Sequence, residues 1–163
     1  MTRFDQALHL AAVCVAFLVV APPTMAQSKE IAATKSATAS AKPHRLVLQV
    51  NSNEPATMTL ALNNATNVEQ YYKERGEKIE IEIVTFGPGL HMLRDDTSPV
   101  KDRIKAIADK NPAISFKACG NTQENMGKAE NKAIPLVAQA TLVKSGVVRL
   151  MELQEQGWTY VRP

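Results

Sequence analysis

The sequence predicts an α/β fold: a three-layer sandwich in which helices cover both faces of a mostly parallel five-stranded sheet. Three observations carry this. Strand-like and helix-like hydropathy patterns alternate from residue 44 to residue 163. The connections between them are short, and Gly, Pro or Asn punctuates most junctions. Strands joined through helices rather than hairpins run parallel, and a parallel sheet needs cover on both faces. Right-handed crossovers then send every strand's carboxyl end to one edge. A flavodoxin-like order, 2-1-3-4-5, makes strands one and three neighbours with a crevice between them.

Residues 45–50 (RLVLQV) form the first strand, stopped by the polar turn Asn51-Ser52-Asn53. Pro55 suits the first turn of a helix, where its missing amide donor costs little. Met58, Ala61, Leu62, Ala65, Val68 and Tyr72 then recur at helical spacing up to Arg75, and Gly76 is the stop. Residues 78–86 (KIEIEIVTF) alternate strictly before turning fully apolar, which reads as the second strand, and Gly87-Pro88-Gly89 is a turn. Val100, Ile104, Ile107 and Ala108 share one face of a helix over 100–109, ended by Asn111-Pro112. Residues 114–118 (ISFKA) form a third strand running into Cys119-Gly120, followed by a polar helix from about Asn121 to Asn131. A fourth strand is expected over 137–143. Ser145 caps a helix carrying Val147, Leu150, Met151 and Leu153, Gly157 ends it, and 158–161 (WTYV) is the last strand.

The segment before this domain reads differently. Residues 8–21 (LHLAAVCVAFLVVA) match a signal-peptide core in length and are short for a membrane span. Pro22-Pro23 break the run, and small residues near Ala26 suit a signal peptidase. Residues 1–26 are therefore expected to be a cleaved signal peptide, and the protein periplasmic or secreted. Residues 27–43 (QSKEIAATKSATASAKP) carry one bulky apolar side chain, Ile31, and read as a flexible linker to a domain spanning 44–163.

Composition narrows the function. The formal net charge of +3 is scattered, with no block of like charges, and aromatic residues are few. A nucleic-acid partner is not expected, nor a membrane partner once the signal is removed. With Cys14 cleaved away, one cysteine and two histidines remain, which gives no metal-ligand spacing and predicts neither metal nor other cofactor. No serine stands in a G-x-S-x-G context. Asp95-Asp96 reads as a solvated turn rather than paired acids.

Cys119 is the sharpest chemical candidate. It follows a strand and precedes Gly120 at a helix start, where amide donors and the positive helix end favour a thiolate. Gly120, Asn121 and Thr122 supply amides around it, and Gly120 leaves room for a substrate. The competing reading is a buried, inert cysteine. His91, on the loop after the second strand, is a possible assistant to the thiol; a packing or surface histidine is the competing reading. In the expected strand order, Asn51 and Asn53 and the Gly87 and Gly89 turn complete a binding crevice beside Cys119.

The segments RLVLQVN, VTFGPGL, FKACGNT and SGVVRLMELQEQGWTYVRP resemble the DsrE/DsrF-like family, most of all its small exported members, across residues 44–163. The resemblance implies an α/β sandwich, self-association into trimers or larger rings, and a link to sulfur transfer. In the sulfur-relay members the key cysteine carries a persulfide, and Cys119 matches that position. A sulfur donor or acceptor protein is the implied partner. Leu90, Met92 and Leu93, apolar residues beyond a strand edge, are expected to need cover from a second copy. Two other classes stay open: a small-ligand or anion-binding module without catalysis, and a structural homo-oligomer with an inert cysteine.

Overall fold

The structure, a computed structural model, describes residues 42–163. The expected signal peptide and nearly all of the expected linker lie outside the described residues. The elements are β1 (His44–Val50), α1 (Pro55–Glu74), β2 (Ile79–Thr85), a 3-10 helix (Gly87–Leu93), α2 (Lys101–Lys110), β3 (Ile114–Cys119), α3 (Gly120–Glu130), β4 (Ala140–Val143), α4 (Gly146–Glu155) and β5 (Thr159–Val161). All strand pairs are parallel, as the alternating pattern predicts.

The strand order is β4-β3-β2-β1-β5, which corrects the flavodoxin-like expectation. Strand β2, not β1, occupies the place beside β3. β1 and β2 pair along seven residues from His44↔Ile79 to Val50↔Thr85. The last five residues of each are buried, so these two strands suit the middle of the sheet, whereas β4 and β5 are short and largely exposed at its edges.

This order decides where each helix goes. From β1 to β4 every crossover steps one strand in the same direction, so right-handed connections put α1, α2 and α3 on one face. The connection from β4 to β5 jumps back across the sheet, and the same handedness puts α4 on the other face. Packing follows this division. Leu46, Leu48 and Val50 of β1, Ile81 and Ile83 of β2, and Phe116 and Ala118 of β3 meet Met58, Leu62, Ile104 and Ile107. Residues of opposite parity, Val47 and Val84, meet Leu150 and Leu153 of α4, flanked by Phe86 and Trp158. The Glu82 carboxylate also receives two hydrogen bonds from Arg149, at 2.9 and 2.6 Å, clamping α4 to the sheet.

Three local expectations change. Gly87-Pro88-Gly89 begins a 3-10 helix whose Leu90, Met92 and Leu93 are fully buried in the domain's own core. They therefore give no support to association with a second copy. The fourth strand begins at Ala140 rather than Val137, because the Val137 N–H is drawn to the Leu93 carbonyl at 2.9 Å. Helix α3 begins at Gly120, with Cys119 as its N-cap. Pro55 in the first turn of α1 and Ser145 capping α4 through the Val148 N–H are as the sequence predicts.

Candidate functional site

Cys119 ends β3 and caps α3, and it is 4% exposed. Its neighbour Ala118 belongs to the thick core, so the cysteine turns toward the face that carries α4. Burial pushes its thiol pKa up. The Thr122 hydroxyl and the N–H groups of Gly146, Thr122 and Asn121 push it down, and their combined effect wins: the pKa lies below the ordinary value. These N–H groups come from two helix starts, those of α3 and α4. Both positive helix ends therefore bear on one sulfur atom.

The donors are themselves held. Thr122 Oγ1 accepts a hydrogen bond from the Gly87 N–H at 3.0 Å, leaving its own proton for the sulfur. The Asn121 N–H also reaches the Lys144 carbonyl at 3.2 Å, tying the start of α3 to the β4–α4 connection. A side chain at Gly120 would press on the Val143 carbonyl at 3.3 Å. At Gly146 a Cβ would stand 2.8 Å from Phe86 Cδ1, so only glycine brings this N–H so close past the ring.

The other expected site residues are placed differently. Asn51 and Asn53 follow β1, which β2 separates from β3; two strand spacings, about 10 Å, replace the expected crevice. A Cβ at Gly89 would lie 2.1 Å from the Val50 carbonyl oxygen and 2.7 Å from Asn51 Cα. That glycine lets the 3-10 helix pack on the end of β1, and Asn51 meets it there rather than Cys119. Gly87 reaches the thiol only through Thr122. The His91 ring sits 3.0 Å from Thr97 Oγ1 and is not among the principal groups that shift the thiol.

Asp95 and Asp96 part company. Asp96 accepts two hydrogen bonds from Arg94, at 2.9 and 2.8 Å, and Glu130 accepts two more from the same guanidinium. Arg94 is 1% exposed, and Lys132 joins both carboxylates from outside. The Arg94 hydrogen bonds hold the Glu130 pKa down to about 2 and lower that of Asp96 also. Nothing in hydropathy periodicity marks Arg94 as a core residue. The Gly146 N–H was also missed, though its signal exists: Ser145 is a helix cap that follows the strand expected beside Cys119. Among the described residues no group of three or more His, Cys, Asp or Glu is placed to hold a metal, and no helix is long and apolar enough to cross a membrane.

Fold and site together define a parallel α/β-sandwich domain with one thiol held between two helix starts. A solved structure of similar fold is MTH1491 from Methanobacterium thermoautotrophicum, described as a protein of unknown function. It is 26% identical with a TM-score of 0.63, over 74% of this chain and 99% of that one. No protein-family model and no curated protein matches the chain.

Proposed function

We propose that this chain is an exported, DsrE-like protein that accepts sulfane sulfur on Cys119 and passes it on, a sulfurtransferase-like carrier acting as a homo-oligomer. The observation that carries the reading is the set of donors from two helix starts, which lowers the thiol pKa against the effect of burial. In the accepting step the Cys119 thiolate attacks a sulfane sulfur of a polysulfide. A sulfur–sulfur bond of the donor breaks, the new bond leaves Cys119 as a persulfide, and the shortened donor departs with the electron pair. A second thiolate then attacks the outer sulfur, and Cys119 leaves again as thiolate. The donors around Sγ favour the charged form that both begins and ends this cycle.

Self-association finds support on α4, where Val147, Val148 and Met151 are about half exposed although apolar. The competing reading is a structural module with an inert cysteine, favoured by the 4% exposure of Cys119.

One experiment separates the two. The folded protein is treated with polysulfide and weighed intact, with and without reductant. The carrier predicts one added sulfur, removable by reductant and absent in Cys119→Ser. A thiol that reacts only after denaturation would end the carrier reading. Light scattering showing a monomer across micromolar concentrations would remove the oligomer.

A further inference from the structure

A mostly apolar concavity of the domain lies away from the thiol, on the β1–β5 side of the sheet. Because β5 extends the sheet beyond β1, α1 cannot cover its outermost strip. The flank of α1 and the sheet face diverge there around a cleft of ≈ 510 Å³. Leu46 and Leu48 of β1 and Val161 of β5 form its floor, and Val68, Tyr71 and Tyr72 of α1 form its wall. That wall is already set: Tyr72 stacks on His44 with ring centroids 3.9 Å apart, and Tyr71 meets Tyr72 edge-on at 5.2 Å. The volume lies within the range of small-molecule sites, and a mostly apolar lining with a few polar groups is their usual composition.

Charge and hydrogen bonding narrow the occupant. Both charged-type residues on the lining are already paired, His44 with Glu77 at 2.7 Å and Arg45 with Glu80 at 3.0 Å. The cleft thus offers no free charge to an ion. The polar residues of α1 divide in the same way. Thr66 donates to the Leu62 carbonyl and Gln70 to Glu74, while the amides of Asn64 and Asn67, both on the cleft, have no hydrogen-bond partner among the described residues. We propose that this cleft binds a neutral, flat, mostly apolar small molecule, with one hydrogen-bonding group read by Asn64 and Asn67. The aromatic wall, with Tyr71 half exposed at its rim, offers ring faces and edges to a flat molecule. The proposal does not rest on the chemistry of Cys119.

The test uses the full chain and N-phenyl-1-naphthylamine, a neutral aromatic probe whose fluorescence rises in apolar surroundings. Saturable one-to-one binding is expected. Asn64→Ala with Asn67→Ala should weaken it roughly fivefold, the effect of losing one neutral hydrogen bond to the probe's single N–H. Val161→Trp, on an exposed edge position, should fill the cleft and abolish binding. Cys119→Ser and Val147→Ser, both outside the cleft, should leave it unchanged. Non-saturable fluorescence, full binding in Val161→Trp, or equal loss in Val147→Ser would overturn the proposal. Loss of probe binding as protein concentration rises would overturn it too, by showing that a second copy occupies the cleft.

Discussion

The two faces of the sheet differ in what they are made of. One is covered by α1, α2, α3 and the 3-10 helix over a continuous apolar cluster that runs from β1 to β3. Among the described residues, the other is crossed by α4 alone. There a small cluster around Val47, Val84, Leu150 and Leu153 is flanked by the Glu82–Arg149 ion pair and the Gln49–Tyr160 hydrogen bond. The difference follows from strand order, since three crossovers go one way and one comes back. Stability is concentrated on the thick face and the unusual thiol on the thin one. A polar, thinly covered face keeps donors beside a sulfur atom that a fully apolar core would leave neutral.

The largest effect is expected on the thick face. Leu62→Ala should cost about 2–5 kcal/mol by chemical denaturation, through lost transfer energy and a residual cavity. Leu150→Ala, on the thin face, should cost clearly less, because partly exposed neighbours can relax into the space; equal losses would erase the contrast. Next comes Gly146→Val, whose side chain meets Phe86 and pushes the start of α4 away from Cys119. Stability should fall by about 1–3 kcal/mol from overpacking, and the midpoint of thiol labelling against pH should move up. Thr122→Val keeps the volume and removes the hydroxyl. It should move that midpoint in the same direction, since this hydroxyl leads the groups that lower the thiol pKa. Stability should fall by about 1–3 kcal/mol because the Gly87 N–H loses its acceptor.

A pH scan tests the thick face by a different route. Glu130 has its pKa held down to about 2 and that of Asp96 is lowered as well, both by Arg94 first. Depressed carboxylates stabilise the fold above their unfolded values, so this contribution is intact above the ordinary carboxylate range and disappears as pH falls toward 2. Thermal melts between pH 5 and 2 should show that loss, and Glu130→Gln should flatten it. The smallest effect belongs to His91→Ala, which should leave the labelling profile of Cys119 where it is, since the ring is engaged with Thr97.

Element positions were readable in the sequence because they rest on local signals. The 3.6-residue stripe of α1, Pro55 in its first turn and Ser145 ahead of α4 each act within a few residues. The strand order was not readable, because nothing local states which strand lies beside β1. That depends on contacts such as the approach of Gly89 to Val50, made across the whole β1–α1–β2 unit. Cys119 at a helix start was legible from Ala118-Cys119-Gly120. The second helix start over it had a signal in Ser145 after the strand expected beside Cys119, but its closeness to the sulfur rests on Gly146 passing the Phe86 ring, a contact between segments distant in sequence. Arg94 stayed hidden because a buried cation with two carboxylates looks, in one dimension, like an ordinary charged turn.

The closing strand has a consequence for how the chain matures. β5 pairs with β1, and Tyr160 donates to Gln49 across 111 residues of sequence. Among the described residues, the first strand is thus flanked on one side by the last. A growing chain holds one margin of β1 open until residues 159–161 are made, with Leu46 and Leu48 beside an unpaired backbone. Closing so long a loop is slow, and an open apolar margin invites pairing with other chains. Chains that stop before Thr159 keep that margin exposed, and the pairing of Thr159–Val161 is what closes it.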